Sequence, residues 1–377
     1  MTQTAKAADA IRNAMDRAGG ELDFASFVHE ALYAPGLGYY TGGSAKLGAN
    51  GDFVTAPEIS ELFGHCIARQ IAPVIESTGG CVLEFGAGRG TLAVALLQRL
   101  ETLGVLPREY LVLEVSPDLA ERQRALIESQ LPQLAGRVRW IDEPPSSFDG
   151  VMLANEVLDA IPFSRFVKRS GAVKELTVGY NPSGFHYRER NPSGSLRAAV
   201  AAIEADLGQA LPDGYTSEVC LAAQTWTADL VQRLQQGLLL LFDYGVDRRS
   251  YYAADRSEGW LRCHFRHYAH NDALLYPGIQ DITTWIDFSA IAETAVTAGA
   301  SVAGYVTQAH FLMAAGLDEE LAELADQPLE RQMHVAAGVR TLTLPGEMGE
   351  HIKAIGLSKG EIPIPDALTL MDRTPAL

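Results

Sequence analysis

The sequence predicts an α/β fold in which a mostly parallel sheet is covered by helices on both faces. Three observations carry that expectation. From residue 81 onward, short apolar runs of strand length alternate with helical patterns. A glycine-rich turn, "LEFGAGRGTL", joins the first of those runs to a helix. The alternation then breaks between 164 and 215, where "VKELTVGYNPSGFHYRER" has the pattern of a hairpin turning at Asn181-Pro-Ser-Gly184. The sheet should therefore carry an inserted α+β region.

Taken in order, residues 5–18 form a short amphipathic helix that ends at Gly19-Gly20. Phe24, Phe27, Val28, Ala31 and Leu32 then mark the buried face of a second helix. The segment "APGLGYYTGGSAKLGANGDFVTAPE" holds six glycines between Gly36 and Gly51, which points to a functional, partly ordered loop suited to be a lid. Thr55-Ala-Pro-Glu58 has capping-box spacing. Thr55 should open a helix whose apolar face runs Ile59, Leu62, Phe63, Cys66, Ile67. Glu58 is then either a cap or a residue of the site.

"CVLEF", "YLVLEVS", "VRWID" and "GVMLANEV" are the first four strands, with "TLAVALLQRL" and "PDLAERQRALIESQL" as helices between them. Pro117 suits the first turn of the second helix. After the insertion come the helix "CLAAQTWTADLVQRL" and the strand "GLLLLFDYG". An irregular stretch at 246–285 precedes a helix near 287–299, the strand "SVAGYVT", two helices, and the strand-like "HIKAIGLS". The chain divides into N-terminal helices and lid (1–75), an α/β core (76–163 and 216–377) and the insertion (164–215).

Composition narrows the function. With 30 basic and 47 acidic residues the net charge is −17, which repels polyphosphate and argues against broad binding to nucleic acid. It suits a cationic ligand or a basic protein partner. The four cysteines are scattered, as in a reducing compartment. No apolar run reaches the roughly 20 residues of a membrane span. The N-terminus lacks a hydrophobic signal core and carries Asp9 and Asp16, so a cytoplasmic protein is expected.

A strand, a glycine turn and a helix bring backbone N–H groups to a ligand. Here the glycines are Gly86, Gly88 and Gly90, and Thr91 takes the third glycine position of a dinucleotide motif. No G-K-[ST] follows, so a phosphate-gripping loop is excluded. Glu84 stands just before the turn, where a carboxylate repels a pyrophosphate but welcomes an amine. Glu114, at the end of the next strand, fits either a dinucleotide or another nucleoside. Asn155, Glu156 and Asp159 cluster at the carboxyl end of the fourth strand, where open α/β sheets build their sites. A capped helix start accounts for Asn155 but leaves two acids unexplained.

The spacing E-x-G-x-G-x-G resembles the first motif of class I S-adenosylmethionine-dependent methyltransferases. More specifically, "FVHEALYAPGLGYYTGG", "GDFVTAPEISELFG", "LEFGAGRGTL", "ANEVLDAIP", "LLLFDYG" and "YPGIQDITTWIDFSAIAE" follow the order of the MidA family, from about residue 24 to 360. That family includes a mitochondrial complex I assembly factor that methylates an arginine. The resemblance implies a Rossmann-like class I methyltransferase core with S-adenosyl-L-methionine as cofactor. It places Glu84 on the cationic amino acid portion, Gly86, Ala87, Gly88 and Gly90 under the methionine moiety, and Glu114 on the ribose hydroxyls. Thr55, Pro57 and Asn155 complete the expected cofactor set. It also implies a protein substrate, an arginine-containing subunit of a respiratory complex I type.

An arginine acceptor poses two problems, because sulfonium and guanidinium are both cations and the guanidinium is a poor nucleophile. Carboxylates answer both by gripping it in a fork and localising its charge. Glu156 and Asp159 are the candidates, with Glu58 as a third and Asp281 and Thr283 as further substrate-side residues. Ala87 stands where the family usually has proline; His65, Trp260 and Trp285 also depart from its pattern and bear on the acceptor. In "CHFRHYAH", His264, His267 and His270 sit three apart beside Cys263, but no carboxylate or second cysteine completes a ligand set. That loop is read as packing on the sheet, without metal. The competing readings are an NAD(P)-linked oxidoreductase and a non-catalytic assembly factor that keeps the fold.

Overall fold

The computed structural model describes residues 3–42, 54–266 and 268–377. Its central sheet runs through β1 (Cys81–Phe85), β2 (Tyr110–Leu113), β3 (Val138–Ile141), β4 (Phe148–Asn155), β5 (Leu234–Val246), β6 (Ser301–Thr307) and β7 (Ile352–Lys359). Their order in the sheet is β6-β7-β5-β4-β1-β2-β3. The strands β3, β2, β1, β4 and β5 are parallel, and β7 is antiparallel to both β5 and β6. The chain reverses its direction of travel across the sheet between β1 and β4, which opens a crevice at their carboxyl ends.

The apolar runs are continuous because both faces of the sheet are covered. Along β5, Leu238, Leu240 and Phe242 face one core with Leu62, Phe63 and Leu96. Leu239 and Leu241 face the other, with Ala223, Leu230, Phe288 and Ile291. The period of two thus sorts one strand between two helical layers.

A second, antiparallel sheet holds Ser164–Arg169, Ala172–Asn181, Gly184–Arg190 and Thr216–Val219, together with the N-terminal strand Glu21–Asp23. Its hairpin closes at the pair Asn181 and Gly184. The strand Thr216–Val219, grouped with the core in the sequence reading, pairs with Ser164–Arg169 instead. Leu196, Val200 and Ile203 of the helix Gly194–Leu207 cover Phe166 and Tyr215.

Two expectations about helices are corrected. Thr55 makes no side-chain cap, and the helix it precedes spans only Ala56–Ile59. Ser60 is extended, and its side chain caps a separate helix, Glu61–Thr78, by accepting from Leu62 N. The capping box fails because Glu58 is drawn to Arg89 and Thr91 across the crevice. Between β6 and β7 there are four helices where two were expected: Gln308–Ala314, Leu317–Ala322, Leu329–Thr343 and Met348–His351. Gly316 and Pro328 at the starts of the middle two mark these breaks. Among the described residues no helix is long and apolar enough to cross a membrane.

Candidate active site

The crevice between β1 and β4 opens into a cavity of about 440 Å³, within the size range that encloses small ligands. Gly86, Ala87 and Gly88 form its floor, with Glu84 and Glu114 beside them. Thr55, Pro57 and Glu58 close one side, and Asn155 and Glu156 another. Gly90 lies outside the lining and starts the helix Thr91–Leu103. The three glycines have φ of +60°, +55° and +88°, a left-handed backbone that a side chain would strain. A Cβ on Gly86 would also come within 3.2 Å of Val157 Cγ2.

Glu84 is 2% exposed, and Tyr110 Oη donates to its Oε2 at 2.6 Å. Burial pushes its carboxyl up to about 7, against the pull of the Tyr110 bond. Glu114 accepts from Ser116 N at 2.9 Å and from Gln123 Nε2 at 2.9 Å. Burial raises its carboxyl above the ordinary range. Gln123 also donates to Gly88 O at 2.8 Å and accepts from Trp140 Nε1 at 2.8 Å. One fully buried amide therefore ties the glycine turn to Glu114 and to the end of β3. The sequence reading missed Gln123; the available signal was a polar residue in line with Ala120 and Ile127 on the buried face of the helix Pro117–Gln130.

A second chamber of about 230 Å³ adjoins the first, and Glu156 and Tyr40 line both. Asp159 and Asp281 line the second chamber only, with Tyr244, Trp285 and His351 as aromatic neighbours. Glu156 Oε1 accepts from Ala56 N and Asn155 Nδ2, both at 3.1 Å. Burial pushes the Glu156 carboxyl up to about 7, and Asp281 adds to the rise. Asp159 is held well above the usual carboxylate range by burial, then by Asp243, Asp281 and Glu156. Tyr40 Oη donates to Asp281 Oδ1 at 3.0 Å, and its ring stacks on Tyr33 at 5.5 Å. Tyr40 is one of the two adjacent tyrosines that mark the glycine-rich loop as functional in the sequence; Tyr33 carries no such signal.

Of the three carboxylates expected at the acceptor, Glu156 and Asp159 meet at the second chamber and Glu58 does not. Glu58 lines the first cavity, where Thr91 Oγ1 donates to its Oε1 at 2.8 Å and Arg89 to its Oε2 at 3.1 Å. Both of its oxygens are thus engaged. Thr283 lines the second chamber with Asp281. Of the proposed lid, residues 43–51 lie outside the described residues, as does His267. His264 and His270 fall on paired strands, Arg262–Phe265 and Tyr268–His270. Among the described residues no three or more His, Cys, Asp or Glu side chains are grouped to hold a metal ion.

The residues of the first cavity fit S-adenosylmethionine. The floor carries no side chain larger than that of Ala87, Glu84 borders it as an acid able to take an amino group, and Glu114 is fixed at the end of β2. Asn155 Oδ1 is buried with no partner among the described residues, an acceptor awaiting a donor.

Comparisons with known proteins agree. Residues 66–306 match the family model Methyltransf_28, of S-adenosyl-L-methionine-dependent methyltransferases. The chain is 30% identical over 373 residues to "Protein arginine methyltransferase NDUFAF7, mitochondrial" of Danio rerio, covering 89% of this chain and 83% of the relative. The protein of that name from Homo sapiens is 29% identical, with 90% and 80% covered. A crystal structure of a COG1565 superfamily member from Burkholderia thailandensis, bound to S-adenosyl-homocysteine, superposes with a TM-score of 0.94 at 39% identity. It covers 100% of this chain and 97% of that one. The native structure of a protein of that superfamily from the same organism gives 0.91 at 38%. The expected cytoplasmic location is overturned by the curated relatives, which are named mitochondrial.

Proposed function

The chain belongs to the Methyltransf_28 family and is an S-adenosyl-L-methionine-dependent methyltransferase; from that premise we propose that its acceptor is an arginine side chain of a protein, a respiratory complex I subunit or one like it. The observation that carries this reading is the acidic second chamber, joined to the cofactor cavity through Glu156. The names of the curated relatives support the acceptor type.

When bound, the cofactor supplies an electrophilic methyl group on a cationic sulfur. Glu84 and Asn155 Oδ1 take its amino acid end, and the turn from Gly86 to Gly90 lets the backbone approach it. Glu114, oriented by Gln123, takes the ribose hydroxyls. On the acceptor side, Asp159 and Glu156 hold the guanidinium and draw its charge away from the attacking nitrogen. The nitrogen that gains the methyl group must release a proton. Glu156 Oε2, the oxygen not bonded by Ala56 and Asn155, receives it, and a pKa near 7 suits a general base at neutral pH. Tyr40, bonded to Asp281, forms the shared wall between the chambers. Positioning and electrostatics then supply the catalysis, as an in-line displacement requires.

The test is a comparison of protein methylation in cells that lack the protein and in the same cells with it restored. Mass spectrometry should find one methylarginine lost and then recovered. Loss confined to methyllysine or to small molecules would overturn the arginine reading.

A further inference from the structure

The strand β5 ends in "LLLFDYG", whose acid neither ligand chamber uses. Asp243 is 0% exposed. Its Oδ2 accepts three consecutive backbone N–H groups, from Val157 at 3.1 Å, Leu158 at 2.8 Å and Asp159 at 3.3 Å. Its Oδ1 accepts from Tyr244 N at 2.8 Å. The residue before it completes the set, since Glu156 N donates to Phe242 O at 2.8 Å. Four successive N–H groups of the segment after β4 therefore converge on two residues of β5. Such a run of N–H groups makes a nest that favours an anion, here a carboxylate from the chain itself.

The anchored segment carries both carboxylates of the proposed acceptor site. Glu156 has φ of +53°, a left-handed backbone in a residue with a full side chain, which persists only where its surroundings hold it. From that turn Glu156 reaches the wall common to both chambers and Asp159 reaches the second. No other described side chain bonds the N–H groups of residues 157–159.

We propose that Asp243 is a positioning residue for methyl transfer: it fixes the turn that aims Glu156 and Asp159 at the acceptor, and touches neither ligand itself. The catalytic part of this rests on the acceptor reading above; the anchoring part does not. A misplacement of about 1 Å in a catalytic group costs on the order of 100-fold in rate.

The experiment uses Asp243→Asn in the full chain, which keeps the shape but turns an N–H₂ group toward N–H donors. The first readout is amide hydrogen exchange at residues 157–159, which should be as slow as in β5 in the parent and faster by about 100-fold in the variant. The second is methyl transfer from labelled S-adenosylmethionine to the proteins of an extract that lacks this enzyme. The turnover rate should fall about 100-fold, while the dissociation constant for S-adenosyl-homocysteine stays within threefold. Leu239→Ala, a core change on the same strand, should lower Tm without this loss of turnover.

Unchanged exchange at 157–159, or turnover equal to the parent's, overturns the proposal. If the variant does not fold, exchange in the parent decides: amides at 157–159 as fast as those of an exposed loop refute the anchor. If the parent transfers no methyl group to protein, the arginine reading fails, while exchange still decides the anchor.

Discussion

Replacing Glu156 by glutamine should make the protein more stable and nearly inactive, and the two effects should part company with pH. Glutamine keeps an Oε1 that can accept from Ala56 N and Asn155 Nδ2, so the local bonds at 3.1 Å survive. What it removes is a charge. In the folded chain burial lifts the Glu156 carboxyl from its ordinary 4.5 to about 7. At about 1.4 kcal/mol per pH unit, keeping it ionised above pH 7 costs up to roughly 3 kcal/mol. With an unfolding entropy of about 2.1 cal/mol/K per residue over 377 residues, the variant should melt roughly 4 °C higher at pH 8.

The sign follows from the raised pKa. The folded state holds the proton more tightly than the unfolded chain, so this stabilisation is complete below about 4.5 and is lost as pH rises through about 7. Glutamine behaves as the protonated form throughout. Its advantage should therefore vanish near pH 4.5 and open between there and pH 7. Methyl transfer should fall 30-fold to several-thousand-fold, since losing one partner of a buried charge pair costs about 2–5 kcal/mol. Affinity for S-adenosyl-homocysteine should stay within a few fold, because Glu84, Glu114 and the turn are intact. Differential scanning calorimetry at pH 4.5 and 8, with the transfer assay, reads both. An equal gain in Tm at both pH values refutes the buried-charge argument, and transfer at the parent rate refutes the role of Glu156.

At 100 times its dissociation constant, S-adenosylmethionine should stabilise the protein by about 2.7 kcal/mol, and NAD should leave Tm unchanged; stabilisation by NAD alone would contradict the assignment of the cavity. Gly88→Val should fold but lose the cofactor, because its φ of +55° and bare surface are what the ligand needs; unchanged affinity in calorimetry would make the turn merely structural. Gln123→Leu frees Glu114 and Gly88 from their shared tether and should weaken S-adenosyl-homocysteine binding about tenfold, roughly 1.4 kcal/mol. An affinity within twofold of the parent's would show that Glu114 is oriented without it.

Much of this was legible in the sequence because local signals and the global fold agree. The run Leu238–Phe242 has the length and continuous apolarity of a strand covered on both faces, and the turn from Gly86 to Gly90 has glycine at every second position, with only Ala87 and Arg89 between. Glu84, Glu114 and Glu156 lie at strand ends, where an α/β sheet places its ligands. The signals failed where the partner is distant in the chain. Thr55 and Glu58 have the spacing of a cap, yet Glu58 bonds Thr91 and Arg89, 33 and 31 residues on. Asp243 bonds a segment 84–86 residues earlier. Tyr40 reaches Asp281, 241 residues on. No periodicity encodes such pairs; only the strand order brings them together.

The way the molecule treats its acids elsewhere gives the site its meaning. Away from the crevice, buried carboxylates are paired within the chain: Glu218 with Arg165 at 2.9 Å, and Glu320 with Arg99 at 2.6 Å. Such pairing is what burial of charge normally demands. At the crevice the rule is suspended. Among the described residues no arginine or lysine forms an ion pair with Glu84, Glu156, Asp159 or Asp243, although burial raises the pKa of every one of them. Asp243 is satisfied by backbone N–H groups, whereas Glu84, Glu156 and Asp159 line two adjoining chambers. Arg262 and His264 also line the second chamber, and the ligands assigned to the two chambers are both cations, a sulfonium with its ammonium group and a guanidinium. Binding either one lowers the cost of burying Glu156, which borders both. The two cationic ligands of the proposed reaction thus assemble across one shared carboxylate.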